Sequence, residues 1–323
     1  MRYLSVKEIL VLIFTFTFCL ILVIEIGMRS LFGFGNPLIY IADEKIGYLL
    51  APNQRTRRYG NRIEINQYSM RSEAIEQIPS SSTLRVLLLG DSITNGGWWT
   101  DQDNTISSLI QRSLISDNFS NYPHIQVLNA SANSWGPRNE LAYLEKFGSF
   151  QAQIVVLLIN TDDLFATAPT SLPVGRDRNY PDRKPAFALV EVFRNYIFKP
   201  KPIAELKTIY KEDGDRVAIN LEAIGKIQAL TRQNNSQFLL VMTPLLREIG
   251  SPGSRDYEIK ARQRLNEFAK TQKIAYIDFL TEFNTTKNPK ALYHDHIHLN
   301  LQGNQLVSEV ITQKLAEILR IMN

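Results

Sequence analysis

The stretch Leu84-Arg85-Val86-Leu87-Leu88-Leu89-Gly90-Asp91-Ser92 reads as a buried strand that ends in a turn and presents a serine hydroxyl at its tip. A hydroxyl is a poor nucleophile until a neighbouring base takes its proton, and that base works best when a third group orients it. Near the other end of the chain, Asp295-His296-Ile297-His298 offers an imidazole with a carboxylate three residues before it. Each piece alone also has an ordinary reading: Ser92 as a turn or cap residue, Asp295 as the cap of a helix beginning near Gln302, His298 as a satisfied loop histidine. What joins them is their place at the two extremes of one alternating pattern.

That pattern is strand, then helix, repeated. Apolar runs at Val86–Leu89, Ile125–Leu128, Ile154–Ile159, Phe238–Val241 and Ile274–Ile277 have the continuous character of strands buried on both faces. Helical periodicity fills the gaps at about 104–116, 138–149, 216–233, 255–272 and 302–321. The alternation predicts an α/β fold with three layers, α/β/α, around a five-stranded parallel sheet, and a site at the carboxyl ends of the strands. Ser92, Ser131 and Asp162 each follow a predicted strand, which gathers them at one end of the sheet.

The layout resembles the SGNH or GDSL hydrolase family, whose flavodoxin-like domain and four sequence blocks can be followed here. Leu89-Gly90-Asp91-Ser92-Ile93-Thr94 matches the nucleophile block. The resemblance implies that Ser92 attacks the acyl carbon and that its backbone N–H helps form the oxyanion hole. In the second block a glycine after a strand supplies another N–H; here Val127-Leu128-Asn129-Ala130-Ser131 puts Ser131 at that position, where a serine serves if the turn is preserved. The third block departs from the family's Gly-x-Asn-Asp, since the chain reads Asn160-Thr161-Asp162-Asp163. Asp162 thus stands where the family has a side-chain amide donor.

An ionised Asp162 would repel an oxyanion, and one lost donor typically costs roughly 100- to 1000-fold in rate. A protonated Asp162, kept so by burial beside Asp163, would still donate, and rotation of Asn160 into the role is the other route. The fourth block, Asp295-His296-Ile297-His298-Leu299-Asn300-Leu301-Gln302-Gly303, matches the family's Asp-x-x-His with its downstream glycine. By that match His298 is the general base and Asp295 its orienting partner.

Three of the four histidines, His294, His296 and His298, alternate in sequence, and in an extended segment they would face one way as a zinc site does. No further ligand cluster accompanies them, so neither a metal nor another cofactor is expected. His124 follows Pro123 and reads as a turn or surface residue.

The N-terminus sets the expected location. From Ile9 to Ile24 the chain is apolar apart from Thr15 and Thr17, and with Ile26 and Met28 the run is close to the length that crosses a bilayer. The flanks lack a small-x-small cleavage site, and the segment is apolar all round, as an uncleaved signal anchor is and an amphipathic core helix is not. Arg2 and Lys7 favour a cytoplasmic N-terminus and place the remainder outside the cytoplasmic membrane, in a single pass, with Arg29 weakening the bias. The only cysteine, Cys19, lies in this run and reports nothing about redox compartment.

The chain of 323 residues therefore divides into an anchor at 1–30, a membrane-proximal extension and linker at 31–83 with a small hairpin, and a catalytic-type domain at 84–323. That last part is interrupted by a proline-rich insertion at about 164–205. The insertion leaves directly from the third block and would hang over the site; its Arg176, Arg178 and Arg183 would meet an anionic substrate or line an exposed polar loop. Trp98 and Trp99 read either as a substrate wall or as core aromatics. A net charge of +4 without a basic stripe argues against a nucleic-acid partner. The expectation is a membrane-anchored serine ester hydrolase working on an O-acylated cell-envelope glycan or lipid ester. Its alternatives are an O-acyltransferase to a polysaccharide hydroxyl and a non-catalytic glycan-binding protein of the same fold.

Overall fold

The computed structural model describes residues 3–116 and 122–322. Arg2, counted above toward the charge bias, lies outside them. The chain opens with α1, Val6–Phe32, whose first turn is closed by a reciprocal pair of hydrogen bonds between Ser5 and Glu8. At about 1.5 Å per residue its 27 residues span roughly 40 Å. Its apolar side chains from Ile9 to Ile24 are exposed. Among the described residues it is the helix long and apolar enough to cross a bilayer. It stops at Gly33, in the left-handed region at φ 75°, where an added Cβ would lie 1.8 Å from the carbonyl oxygen of Arg57.

Two antiparallel hairpins follow, β1 (Tyr40–Asp43) with β2 (Gly47–Leu50) and β3 (Gln54–Arg58) with β4 (Asn61–Ile65). Alternation within Arg62–Ile65 predicts one small hairpin, and the extension forms two. Apolar residues of the extension, Ile46, Leu50, Ile63, Ile65 and Met70, are buried in the same core as the sheet.

The main sheet comprises β5 (Thr83–Gly90), β6 (His124–Ser131), β7 (Ile154–Asn160), β8 (Gln237–Thr243) and β9 (Ala275–Asp278), all parallel, in the order β6-β5-β7-β8-β9. Period-two alternation divides each central strand between two cores. Leu87 and Leu89 of β5 face one side, while Leu84, Val86 and Leu88 face the other. The first side is covered by α4 (Pro137–Phe147), α7 (Arg216–Gln233) and α8 (Asp256–Thr271), the second by α3 (Ile106–Ser116), α9 (Leu280–Thr285) and α10 (Leu301–Met322). This is the expected α/β/α sandwich. The strand order reverses beside β5, so the ends of β6 and β7 diverge around the end of β5 and open a crevice there.

The insertion after β7 contains two short helices, α5 (Ala188–Val192) and α6 (Leu206–Tyr210), with a π-helical turn over Phe193–Ile197. It is fastened to the extension and to α1. The Tyr40 N–H donates to Pro181 O at 2.8 Å, Tyr180 packs its ring 5.0 Å from those of Tyr40 and Tyr48, and Glu25 accepts from the N–H groups of Ala188 and Leu189. Insertion and extension together wall the crevice.

Candidate active site

Ser92 opens the short helix α2 (Ser92–Asn95) directly after β5, with Asp91 as its cap, accepting from Ile93 N–H at 2.8 Å. The turn is tight. A Cβ on Gly90 would lie 2.1 Å from Thr94 Oγ1 and 2.5 Å from Leu158 O, so glycine is required by close approach. Ser92 is 7% exposed, and its hydroxyl donates to Nε2 of His298 at 2.8 Å.

The Asp-x-x-His spacing builds its own turn. Asp295 Oδ1 accepts from the N–H groups of Ile297 and His298 at 2.9 and 2.8 Å, which leaves Oδ2 to accept from His298 Nδ1 at 2.7 Å. With Nδ1 carrying its proton toward the carboxylate, Nε2 faces the serine as an acceptor. Partial burial would raise the Asp295 carboxyl, but its hydrogen bonds from the His298 ring and backbone and from Ile297 outweigh that and hold it at about 2. It is ionised across the neutral range.

Trp99 lies beside this pair, its ring 4.4 Å from that of His298 and stacked at 5.1 Å on His294. The alternating histidines have separate surroundings. His294 is stacked, His298 is bonded to Ser92, and the His296 side chain is 87% exposed; among the described residues no three His, Cys, Asp or Glu are grouped to hold a metal.

Ser131 and Asp162, named from the second and third blocks, lie outside the lining of the crevice around Ser92 and His298. Ser131 is the last residue of β6, fully buried, with its hydroxyl donating to Asn129 Oδ1 at 2.5 Å. The residues of this segment that line the crevice are Asn133 and Ser134, in the turn that follows. Ser134 adopts the left-handed conformation, φ 57°, which serine tolerates poorly and glycine readily. Strand β6 runs on through Ser131, so the turn that reaches the crevice comes two residues after it.

Asp162 is not a lining residue of the crevice either. It sits in the 3-10 turn Thr161–Phe165 with its side chain 57% exposed and Oδ1 3.5 Å from Arg247. Partial burial and the nearby Glu258 and Glu248 push its carboxyl upward, against Arg247 and His296. Asn160 is committed elsewhere: its Oδ1 accepts from Asp162 N–H at 2.7 Å, and its Nδ2 donates to Asp91 and Asp163 at 2.8 and 2.9 Å. Behind Ser92 three carboxyl groups, Asp91, Asp163 and Glu140, lie buried: burial pushes each upward, Asp163 and Glu140 strongly, and the Asp91 charge raises those two further.

The crevice widens into a cleft of about 700 Å³ that reaches from Ser92 and His298 to the extension and the insertion. Trp98, Trp99, Tyr59 and Tyr196 supply flat aromatic walls, and Arg58, Arg178 and Arg194 supply positive charge. Of the three insertion arginines named from sequence, Arg178 lines the cleft, Arg176 pairs with Glu205 at 2.9 Å, and Arg183 is exposed. Arg58 ends the dense basic run Arg55-Thr56-Arg57-Arg58, which reads from sequence as a solvated edge, and Arg194 carries no signal that would single it out before folding.

The profile of the GDSL-like Lipase/Acylhydrolase family matches residues 88–306. Among solved structures, the acetyl xylan esterase AlAXEase is 16% identical, covering 72% of this chain and 99% of its own with a TM-score of 0.48. Axe2, an acetylxylan esterase from Geobacillus stearothermophilus, is 15% identical over 74% of this chain and 95% of its own, TM-score 0.48. A lipase/acylhydrolase from Enterococcus faecalis is 16% identical over 72% and 96%, TM-score 0.43. No curated protein matches the chain.

Proposed function

This chain belongs to the GDSL-like lipase/acylhydrolase family, and within that class we propose that it is a membrane-anchored serine esterase working through an acyl-serine intermediate. The observation that carries the reading is the hydrogen-bonded line from Ser92 through His298 to Asp295, at 2.8 and 2.7 Å. As Ser92 Oγ bonds to the acyl carbon, its proton passes to His298 Nε2, and Asp295 stabilises the imidazolium. The tetrahedral intermediate collapses by breaking the bond to the leaving oxygen, which takes that proton from His298. Water, deprotonated by the same imidazole, then releases the acid and restores Ser92.

The oxyanion hole is assigned to the backbone N–H groups of Ser92 and Ser134, with the Asn133 side-chain amide in the part that Asp162 would have taken by sequence. Two observations favour this over Ser131 and Asp162. Asn133 and Ser134 line the cleft with Ser92, and the left-handed turn at Ser134 reproduces the geometry a glycine would give.

The substrate class is an O-acylated glycan or a lipid ester of the cell envelope, reached from a single-pass anchor with the domain outside the cytoplasmic membrane. The apolar length of α1 and Lys7 near its start support that placement. The aromatic walls favour a sugar ring, either as part of the substrate or as an acceptor in acyl transfer. A binding-only role of the same fold would follow from an ionised Asp162 in the oxyanion hole, and donors supplied by Ser92, Asn133 and Ser134 remove that ground.

Labelling of the full chain in detergent by a fluorophosphonate probe tests the assignment. Ser92→Ala and His298→Ala abolish labelling and ester turnover on this reading; labelling that survives Ser92→Ala overturns it.

A further inference from the structure

The insertion carries more exposed apolar surface than its own packing explains. Residues 187–198 form a helical segment, α5 and the π-helical turn after it. One face is held. Ala188 and Glu191 are buried, the N–H groups of Ala188 and Leu189 donate to Glu25 of α1 at 2.7 and 3.1 Å, and Glu191 accepts from Gly35 N–H at 2.6 Å and pairs with Arg58. The other face is bare. Phe187, Val190, Phe193 and Ile197, spaced three or four apart, are 46 to 61% exposed, and Phe198 follows at 65%. A row of large apolar side chains in this register is one helix face left about half open to solvent.

What covers that face follows from its height along α1. The apolar run of α1 ends at Ile24, and Glu25 and Arg29, which receive or donate the bonds to residues 186–189, lie within about 8 Å of that end at 1.5 Å per residue. The segment is therefore pinned at the level where the hydrocarbon of a bilayer would give way to headgroups. Its polar face turns to the protein and its apolar row turns outward. Exposed Lys199 and Lys201 come directly after it, where cations meet anionic lipid.

We propose that residues 187–198 are a second membrane contact, an interfacial segment that lays Phe187, Val190, Phe193, Ile197 and Phe198 about 5–10 Å into the headgroup boundary beside α1. The inference rests on reading α1 as a membrane span. Arg194 and Tyr196 of the same segment line the Ser92 cleft, so this contact holds the cleft at the lipid surface and favours esters displayed there over freely diffusing ones.

The test uses the full chain with Cys19→Ser and, one at a time, Phe14→Cys, Val190→Cys, Phe198→Cys or Gln233→Cys labelled with an NBD fluorophore, in vesicles of phosphatidylcholine and phosphatidylglycerol with or without nitroxide-labelled lipid. Gln233, exposed at the end of α7, lies at the amino-terminal side of the sheet and serves as the reference. Positions 190 and 198 are expected to lose at least about half of their emission to the nitroxide, as interfacial burial requires, while 233 loses none. Emission at 190 and 198 matching that at 233 overturns the proposal, whether the face is then bare or covered by a second copy of the chain. Position 14 separates the premise from the inference: quenching there with none at 190 and 198 keeps the span and removes the second contact, and no quenching at 14 removes the span.

Discussion

Arg71 donates from Nη1 to the carbonyl oxygen of Gly97 at 2.6 Å, two residues before the Trp99 ring that lies against His298. The same guanidinium, in a residue only 1% exposed, also donates to the carbonyl oxygens of Asn95 at 2.6 Å and Thr100 at 2.5 Å. The extension thus reaches under the loop after Ser92 and fixes its shape. Arg71→Met leaves these buried carbonyls unpaired and is expected to destabilise the fold by on the order of 3 kcal/mol or more. Among molecules that remain folded, turnover falls at least about tenfold because the Trp98–Trp99 loop is released. Urea denaturation and turnover of the folded fraction check this, and undiminished turnover would separate the loop from catalysis.

The oxyanion assignment predicts opposite behaviour for two substitutions. Asn133→Ala lowers kcat by roughly 100- to 1000-fold if its amide faces the developing charge. Asp162→Asn restores the family's residue type, yet its side chain sits beside Arg247, outside the cleft lining. It is expected to change kcat less than about threefold, well below the loss of an oxyanion donor. Initial rates on a soluble aryl ester measure both; a large gain from Asp162→Asn would return Asp162 to the hole.

Glu140 ties stability to pH. It is fully buried at the first turn of α4, and neither carboxylate oxygen has a hydrogen-bond partner among the described residues. Burial, with Asp91 nearby, raises its carboxyl well above the ordinary 4.5. The folded state therefore keeps a proton that the unfolded chain releases above that value, so stability is full below 4.5 and declines as pH rises toward the folded value. Glu140→Gln removes the titration. Its melting temperature should exceed that of the unaltered protein at pH 8 and converge with it near pH 4; a constant difference across this range would contradict the assignment.

The sheet is legible in the sequence because a strand buried on both faces must be apolar throughout, as Val86–Leu89 and Ile154–Ile159 are. The Asp-x-x-His turn is legible because three residues is the spacing at which Asp295 reaches both the His298 N–H and its ring. The turn after β6 is not, since nothing local tells whether the strand ends at Ala130 or runs through Ser131, and that difference decides which residue faces the cleft. Nor is the direction of the Asp162 side chain, which depends on Arg247, far away in sequence. The contact of Glu25 with Ala188 is still less local, being made by two segments whose own patterns say only anchor and loop.

Charge in the cleft leads to a prediction about substrate choice. Arg58 spends Nη2 on Glu191, while its Nη1 and the Nε of Arg194 are buried without a hydrogen-bond partner among the described residues. Arg178 is anchored on the carbonyl oxygen of Asn195 at 2.5 Å, which draws a third guanidinium toward the same wall. Unpaired buried donors of this kind are costly unless an acceptor fills the site at work. An ester bearing a carboxylate or phosphate some distance from its acyl group should therefore be turned over with higher kcat/KM than a neutral ester of equal size. Arg194→Gln should lower kcat/KM about tenfold more for the anionic ester than for the neutral one, chiefly through KM, since the group binds the substrate far from the reacting carbon. Raising ionic strength should shrink the same preference. Equal losses for the two esters would mean that Arg194 shapes the wall of the cleft and does not read charge.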